Sequence, residues 1–177
     1  MFPYQVGGST GHVSFKLAEA IPQLRCIVQD LPTSASQFEA ARPAALADRV
    51  KFQAHDFFKE QPVRGADVYF LRRILHDWSD KYVQKIVRAL LPAMGPRSRI
   101  LVNDFVFPQR GQIPWMAERM LTTLDMQMMI GLNSRERSIE EWTQVFVAAD
   151  PRFQLKSVVQ LPGMSEILME FVLAGTE

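Results

Sequence analysis

The residue of this chain with the clearest chemical potential is a histidine placed between a strand and a helix. His76 follows a hydrophobic, strand-like run (68–71) and precedes a helix for which Ser79 or Asp80 is the predicted N-cap residue. In an open α/β sheet, ligands bind beyond the carboxyl ends of the strands, and a histidine there can accept a proton near neutral pH. The other interpretation is a partly buried loop histidine that packs against Trp78, and the local sequence favours neither.

A glycine-rich turn near the start of the chain is the second candidate site. Gly7, Gly8 and Gly11 lie between a short strand-like run and a helix, where glycine lets a ligand approach the backbone closely. Asp30 ends the next strand, about 20 residues further on, where its carboxylate could bind the hydroxyls of a ribose. The spacing departs from G-x-G-x-x-G, which disfavours a dinucleotide. The alternatives are a plain connecting turn and, for Asp30, a cap before Pro32.

A third and weaker signal is the pair Asp56 and Phe57, which follows another short strand. A carboxylate beside an aromatic ring could hold the edge and the face of an adenine. Aspartate is common after strands, however, and Phe57 or Phe58 could simply belong to the core.

Strand-like and helix-like runs alternate along the chain, which predicts βαβ units and a mostly parallel sheet in one domain. In the first helix, Val13, Leu17 and Ala20 form the expected buried face. Ser138 and Glu141 form a predicted capping box at the start of the last helix. The predicted strands are 4–6, 25–29, 50–54, 66–71, 99–103, 153–158 and 167–173, the last two joined by a hairpin at 161–164; the predicted helices are 12–20, 35–47 with an interruption at Pro43, 80–91, 115–130 and 138–148.

Composition excludes several classes of protein. The 177 residues carry a net charge of +1 and 47% hydrophobic residues, an ordinary balance that predicts neither nucleic acid nor a membrane as partner. The single cysteine, Cys26, is a predicted core residue and fits a reducing compartment, so we expect a cytoplasmic protein. The amino terminus lacks the pattern of a secretion signal. A strand predicted so close to Met1 also leads us to expect that a preceding domain is missing.

These motifs together resemble the class I S-adenosylmethionine-dependent methyltransferases, and more narrowly the plant and fungal O-methyltransferases of the caffeic-acid type. The most family-specific pieces are the runs 76–80 (HDWSD) and 135–138 (RERS), and the fungal enzymes of secondary metabolism are the most similar in character, given 7–9 (GGS) and 28–32 (VQDLP). The resemblance implies a Rossmann-like α/β domain over residues 1–177. Its seven-stranded, mostly parallel sheet would have helices on both faces and an antiparallel C-terminal strand.

The resemblance also implies a role for each candidate residue. The cofactor would be S-adenosyl-L-methionine, and the acceptor would be a hydroxyl of a small aromatic metabolite. His76 would be the catalytic base, flanked by Asp104 and Glu136, which would fix its tautomer. No metal is implied. The implied cofactor-binding residues are Gly7, Gly8, Gly11, Asp30, Asp56, Phe57 and Arg72, where Arg72 replaces the usual lysine, and the implied substrate-binding residues are Asp77, Met126 and Met129.

The predicted helix at 115–130 is rich in methionine. We expect about half of Trp115 and its methionines to pack in the core and the others, among them Met126 and Met129, to line a flat aromatic pocket.

In the family, an amino-terminal helical domain forms a homodimer and closes part of the substrate pocket. We therefore expect this chain to expose apolar surface and to hold intact catalytic residues in an incomplete pocket. Two alternatives stay open. One is a truncated, non-catalytic paralogue that binds the cofactor or a partner subunit. The other is a nicotinamide-dependent oxidoreductase, against which the glycine spacing argues, as does the absence of a Tyr-x-x-x-Lys pair after Tyr82.

Overall fold

The computed structural model describes residues 3–108, 111–160 and 166–175, which form one seven-stranded sheet in the order β3-β2-β1-β4-β5-β7-β6. Strands β1 to β5 are parallel, and β7 runs antiparallel to both β5 and β6. This confirms the predicted fold class. The strands are β1 (Pro3–Val6), β2 (Cys26–Asp30), β3 (Val50–Ala54), β4 (Val68–Arg72), β5 (Arg99–Phe105), β6 (Phe153–Gln160) and β7 (Glu166–Leu173). The predicted hairpin at 161–164 lies outside the described residues.

Five α-helices connect the described strands: α1 (His12–Ala20), α2 (Ala35–Ala41), α3 (Asp80–Leu90), α4 (Trp115–Leu132) and α5 (Ile139–Ala149). The helix predicted over 35–47 ends at Ala41, and a separate 3₁₀ turn, Ala44–Leu46, follows Pro43, because proline cannot continue the backbone hydrogen bonds of a helix. No helix in the described part of the chain is long and apolar enough to cross a membrane.

Two apolar clusters hold the helices against the sheet. The larger cluster joins α3 and α5 to β1, β4, β5 and β7, and it includes Trp142, Phe146 and Phe171. The smaller one joins α1 and α2 to β2 and β3, and the predicted core residue Cys26 is buried there. Because the connections of parallel strands are right-handed and the strand order reverses at β1, these two sets of helices cover opposite faces of the sheet.

The predicted buried face of α1 is wrong. Ser14, Phe15 and Ala18 are buried, whereas Ala20 is exposed and Val13 and Leu17 are half-buried. The reason is aromatic packing. The ring of Phe15 lies 5.3 Å from that of Phe38 in α2, which rotates α1 so that the Phe15 side faces β2 and β3.

The prediction that half of the large side chains of α4 are core residues is also wrong. Helix α4 buries no residue completely. Its inward stripe consists only of half-buried side chains, among them Ala117, Leu121 and Met128. Trp115 and four of the methionines outside that stripe are between 51% and 72% exposed: Met116, Met120, Met126 and Met129. No residue of α4 belongs to the two apolar clusters that cover the sheet, so its large side chains have no core to pack into.

The sheet order brings the predicted site residues to one edge. Strand β1 lies between β2 and β4, which is the point where the strand order reverses, and ligands bind in α/β sheets beyond such a point. The glycine turn after β1, Asp30 at the end of β2, His76 after β4 and Asp104 near the end of β5 therefore meet at the carboxyl edge.

Candidate active site

The glycine turn owes its sequence to the chain's own packing. Gly7 and Gly11 have φ angles of 69° and 79°, in the left-handed region. A Cβ atom on Gly7 would stand 2.5 Å from Cδ1 of Ile74, and one on Gly8 would stand 2.5 Å from Cγ1 of Val28. Glycine is therefore required here before any ligand is considered, and its role at the cofactor stays a prediction.

Asp30 joins the ends of β1 and β2. Its Oδ2 accepts a hydrogen bond from the amide of Ser9 at 2.8 Å, and its Oδ1 accepts from the amide of Leu31 at 2.7 Å and from the hydroxyl of Ser34 at 3.1 Å. A carboxylate offers about four acceptor positions, so roughly one stays open for a ligand hydroxyl. Asp30 thus caps the chain as the alternative interpretation held, and it retains an acceptor that fits a ribose hydroxyl.

A network of buried amides lies directly behind Asp30. The side chains of Gln29 and Gln61 exchange two reciprocal hydrogen bonds of 2.8 Å, and Gln29 also donates to Gln53 at 2.9 Å. The network fixes β2 against β3 and against the segment that follows Asp56 and Phe57.

Asp56 and Phe57 occupy the end of β3. The carboxylate of Asp56 accepts a hydrogen bond from the amide of Phe58 at 3.0 Å. The half-buried ring of Phe57 lies 6.0 Å from the ring of Trp78 and 5.0 Å from that of Phe58. Phe57 therefore links the predicted adenine site to the turn that carries His76.

Arg72 is held by neighbouring strands. Its Nε donates to the side chain of Asn103 at 3.0 Å, and its Nη2 pairs with Glu166 at 3.1 Å. Glu166 also pairs with Arg73, which stacks over the ring of Phe105. Arg72 thus lies at the predicted edge of the site with its guanidinium bound inside the protein, and its contact with a cofactor stays a prediction.

His76 and Glu136 form a direct pair. His76 lies on a 3₁₀ turn, Leu75–Asp77, and its Nδ1 is 3.0 Å from Oε1 of Glu136. An ionised carboxylate only accepts, so Nδ1 carries a hydrogen toward Glu136, and in the neutral imidazole Nε2 keeps the free lone pair. Both residues are buried, His76 with 6% and Glu136 with 4% of its surface exposed. The structure brings these two predicted residues together.

Acidic neighbours set the charge of this histidine. Burial by itself lowers the pKa of His76, but the hydrogen bond that Nδ1 donates to Glu136 and the negative charges of Asp104, Glu136 and Asp77 outweigh it and raise the pKa above its usual value. The acidic neighbours therefore stabilise the imidazolium that forms when Nε2 accepts a proton.

Asp104 lies near His76 without a hydrogen bond of its own. It is fully buried, and neither carboxylate oxygen has a partner among the described residues. Burial, with the nearby charges of Glu136 and Asp77, raises the pKa of Asp104 to about 7, while His76 lowers it. Asp104 can therefore exchange a proton near neutral pH.

Asp77 lies beside Nε2 of His76, on the side of the ring that is nearest to solvent. Its Oδ1 lies 3.3 Å from Nε2 of His76, and its side chain is 39% exposed. Burial raises the pKa of Asp77, with Glu136 acting in the same direction and His76 opposing it. A ligand that reaches Nε2 therefore also contacts Asp77.

The loop between α4 and α5 contains residues that the sequence left without a role. The hydroxyl of Ser134 donates to the backbone oxygen of His76, and Asp125 of α4 accepts from the amide of Glu136 at 2.7 Å. Arg137 is completely buried. The sequence offered one signal for Arg137. It is a charged residue directly before the N-cap Ser138, a position that lies against the start of α5.

A cavity of about 560 Å³ opens beside α4. Its lining includes Val106 and Phe107 after β5, Ala117 and Met120 of α4, and Ile139. Met126 and Met129 do not line it, and their proposed contact with substrate stays a prediction.

The sheet order and this site define a Rossmann-like methyltransferase domain of class I. Solved structures of the same fold include LepI in complex with SAM, with a TM-score of 0.87 and 32% identity, covering 97% of this chain and 42% of that one. The mitomycin 7-O-methyltransferase MmcR gives a TM-score of 0.85 and 28% identity, covering 98% of this chain and 49% of that one.

The sequence comparison narrows the class to a family. The O-methyltransferase domain family matches residues 3–151. The O-methyltransferase VdtC of Byssochlamys spectabilis is 45% identical over 172 residues, covering 94% of this chain. The chain belongs to this O-methyltransferase family, and it spans 40% of the length of that curated relative.

Proposed function

We propose that this chain binds S-adenosyl-L-methionine and transfers its methyl group to a hydroxyl of a small aromatic molecule, with His76 as general base. The observation that carries the proposal is the His76–Glu136 pair. It leaves Nε2 of His76 free to accept a proton on the side where Asp77 is exposed. The site lies at the carboxyl edge of the sheet, beside the glycine turn.

The proposed reaction needs little from the protein beyond alignment and a base. The cofactor supplies a methyl group already activated by its sulfonium. A phenol with a pKa of about 10 is a poor nucleophile at neutral pH, so removal of its proton by a positioned histidine accelerates attack. The hydroxyl oxygen takes the methyl carbon as the carbon–sulfur bond breaks, and the proton moves to Nε2 of His76. Glu136 and Asp104 stabilise the resulting imidazolium.

The residues of the edge fit the proposed cofactor. Asp30 retains an acceptor for a ribose hydroxyl, and Gly7, Gly8 and Gly11 hold the turn beside it. Asp56 and Phe57 would hold the adenine. Arg72 would contact the other end of the cofactor, and Asp77, Met126 and Met129 would contact the acceptor. A homodimer and a cytoplasmic location also belong to the proposal, and the exposed apolar side of α4 supports a protein partner.

The test combines binding with turnover. Calorimetric titration with S-adenosylhomocysteine, with NAD as control ligand, measures the site directly. Incubation with S-adenosylmethionine and a panel of hydroxylated aromatic compounds, read by mass spectrometry, detects methyl transfer. We expect His76→Gln to abolish transfer and to leave S-adenosylhomocysteine affinity unchanged, whereas His12→Gln, on the exposed start of α1, should change neither.

The outcomes separate the alternatives. Binding of S-adenosylhomocysteine without transfer to any acceptor would support the non-catalytic paralogue. Binding of NAD alone would contradict the methyltransferase proposal. Transfer that persists in His76→Gln would remove the histidine from the mechanism.

A further inference from the structure

His76 and Glu136 come from distant parts of the chain. They are separated by 60 positions, and one lies on the 3₁₀ turn Leu75–Asp77 while the other lies on the loop between α4 and α5. A hydrogen bond of 3.0 Å between two such segments needs other contacts that fix their separation, because a single side-chain pair cannot hold two loops in register.

Arg137 contacts both segments at once. Its Nη2 donates to the backbone oxygen of Trp78, which ends the histidine turn, at 2.7 Å, and its Nη1 donates to the backbone oxygen of Arg135 at 3.3 Å. Its Nε donates to Asp80, the first residue of α3, at 2.8 Å. The guanidinium also lies 4.7 Å above the ring of Trp142 in α5. One side chain therefore joins the turn, the loop and two helices.

The backbone of Arg137 adds a further link. Its carbonyl oxygen accepts a hydrogen bond from the amide of Phe107 at 2.8 Å, and Arg137 forms a parallel bridge with Val106. Asp104 lies two residues before Val106. Arg137 thus contacts the segment that follows Asp104, the loop that carries Glu136 and the turn that carries Asp77.

We propose that Arg137 is a positioning residue, whose buried, forked guanidinium sets the separation between His76 and Glu136. Its effect on turnover rests on the proposed function, whereas its effect on the histidine does not. Lysine cannot replace it, because the ammonium group is a point charge and cannot reach Asp80 and two backbone oxygens in fixed directions.

Because acidic groups surround His76, the pKa of this histidine reports the distance between His76 and Glu136. Asp77 faces the ring from its own turn, Asp104 from β5 and Glu136 from the loop. The charge of Arg137 is balanced by Asp80, with Nη2 and Oδ1 2.7 Å apart. A change at Arg137 should therefore reach His76 through the distance to Glu136, and a longer distance lowers the pKa of the histidine.

The experiment follows the pKa of His76 by NMR of its ring Cε1 carbon in the full chain, without cofactor or acceptor. In folded Arg137→Lys we expect this pKa to fall by about one pH unit. Arg135→Lys is the matched control. The side chain of Arg135 also pairs with Asp80, and it pairs with Glu141 as well. It is 47% exposed and makes no contact with the histidine turn among these pairs. We expect the control to leave the pKa of His76 unchanged.

A second variant covers the case in which Arg137→Lys does not fold. Asp80→Glu keeps the charge that balances the guanidinium but displaces the carboxylate that holds it, so the pKa of His76 should fall by a smaller amount. An unchanged pKa in folded Arg137→Lys, or in Asp80→Glu if only that variant folds, would overturn the proposal. If the pKa of His76 falls as expected but the chain transfers no methyl group, only the proposed function is contradicted.

Discussion

Ile74 occupies the space that a side chain on Gly7 would need. Its Cδ1 lies 2.5 Å from the position of a Cβ atom on Gly7, and Ile74 stands two residues before His76. The turn after β1 and the turn after β4 are thus in direct contact. A side chain added to the predicted cofactor turn at Gly7 would therefore press on Ile74 in the turn that carries the histidine.

We therefore expect Gly7→Ala to destabilise the chain through two effects. Its φ of 69° costs an alanine about 1–2 kcal/mol, and the contact with Ile74 adds to this loss. Gly65→Ala is the matched control, because Gly65 has a φ of 68° but nothing lies within 4 Å of its added Cβ. Chemical denaturation should show a larger loss for Gly7→Ala. Equal losses would mean that Ile74 simply moves aside.

Glu136 should control both the pKa of His76 and the rate of methyl transfer. Glu136→Gln keeps an oxygen acceptor for Nδ1 but removes the charge that stabilises the imidazolium. We expect the pKa of His76 to fall and kcat to decrease by about 100-fold or more, with S-adenosylhomocysteine affinity retained. NMR titration and calorimetry measure these effects. Glu60→Gln, on the exposed segment after β3, should change neither quantity.

Asp104 makes the stability of the fold depend on pH. Its pKa rises from 3.8 in the unfolded chain to about 7, so the folded chain binds this proton more tightly. The stability that Asp104 contributes is therefore greatest below its unfolded pKa and falls by a few kcal/mol as pH rises to about 7. His76 acts in the same direction, because its raised pKa contributes stability that is lost as pH rises through the folded value.

The variant Asp104→Asn should flatten this dependence. Denaturation at about pH 5 and pH 8 should give a smaller difference in unfolding free energy than in the wild type. Asp48→Asn, exposed before β3, serves as the control and should keep the wild-type slope. A slope that stays steep in Asp104→Asn would assign the titration to another group.

Phe146 packs α5 directly against the sheet. Its ring stacks on that of Phe171 in β7 with centroids 3.7 Å apart and planes inclined by 4°, and it is fully buried. Phe146→Ala should cost about 3–5 kcal/mol of unfolding free energy. Val147→Ala, at the next position and 41% exposed, should lie within about 0.5 kcal/mol of the wild type. A small loss at Phe146 would mean that α5 can settle into the space.

The sequence predicted the sheet well because each strand is a short hydrophobic run bounded by turn residues. Ser138 and Glu141 predicted the start of α5, and their reciprocal bonds are present. Local signals of this kind depend on neighbours in the chain, which the sequence displays directly.

The failures have a common physical origin in contacts between distant segments. The orientation of α1 depends on Phe38, which lies in another helix. Methionines surround α4 on most sides, so no single apolar stripe distinguished core from surface. In the site, His76 and Glu136 were found through the family motifs, whereas the contacts of Arg137 with Trp78 and Asp80 join segments that are more than 50 positions apart in the chain.

The amide pair of Gln29 and Gln61 has a consequence for how the two halves of the site respond to solution conditions. Amides neither gain nor lose protons in the range where Asp104 and His76 do, and their hydrogen bonds are insensitive to ionic strength. The amide network behind Asp30 should therefore keep its hydrogen bonds while His76 and Asp104 change charge. We therefore expect acidification to protonate His76 and Asp104 without breaking the amide hydrogen bonds behind Asp30.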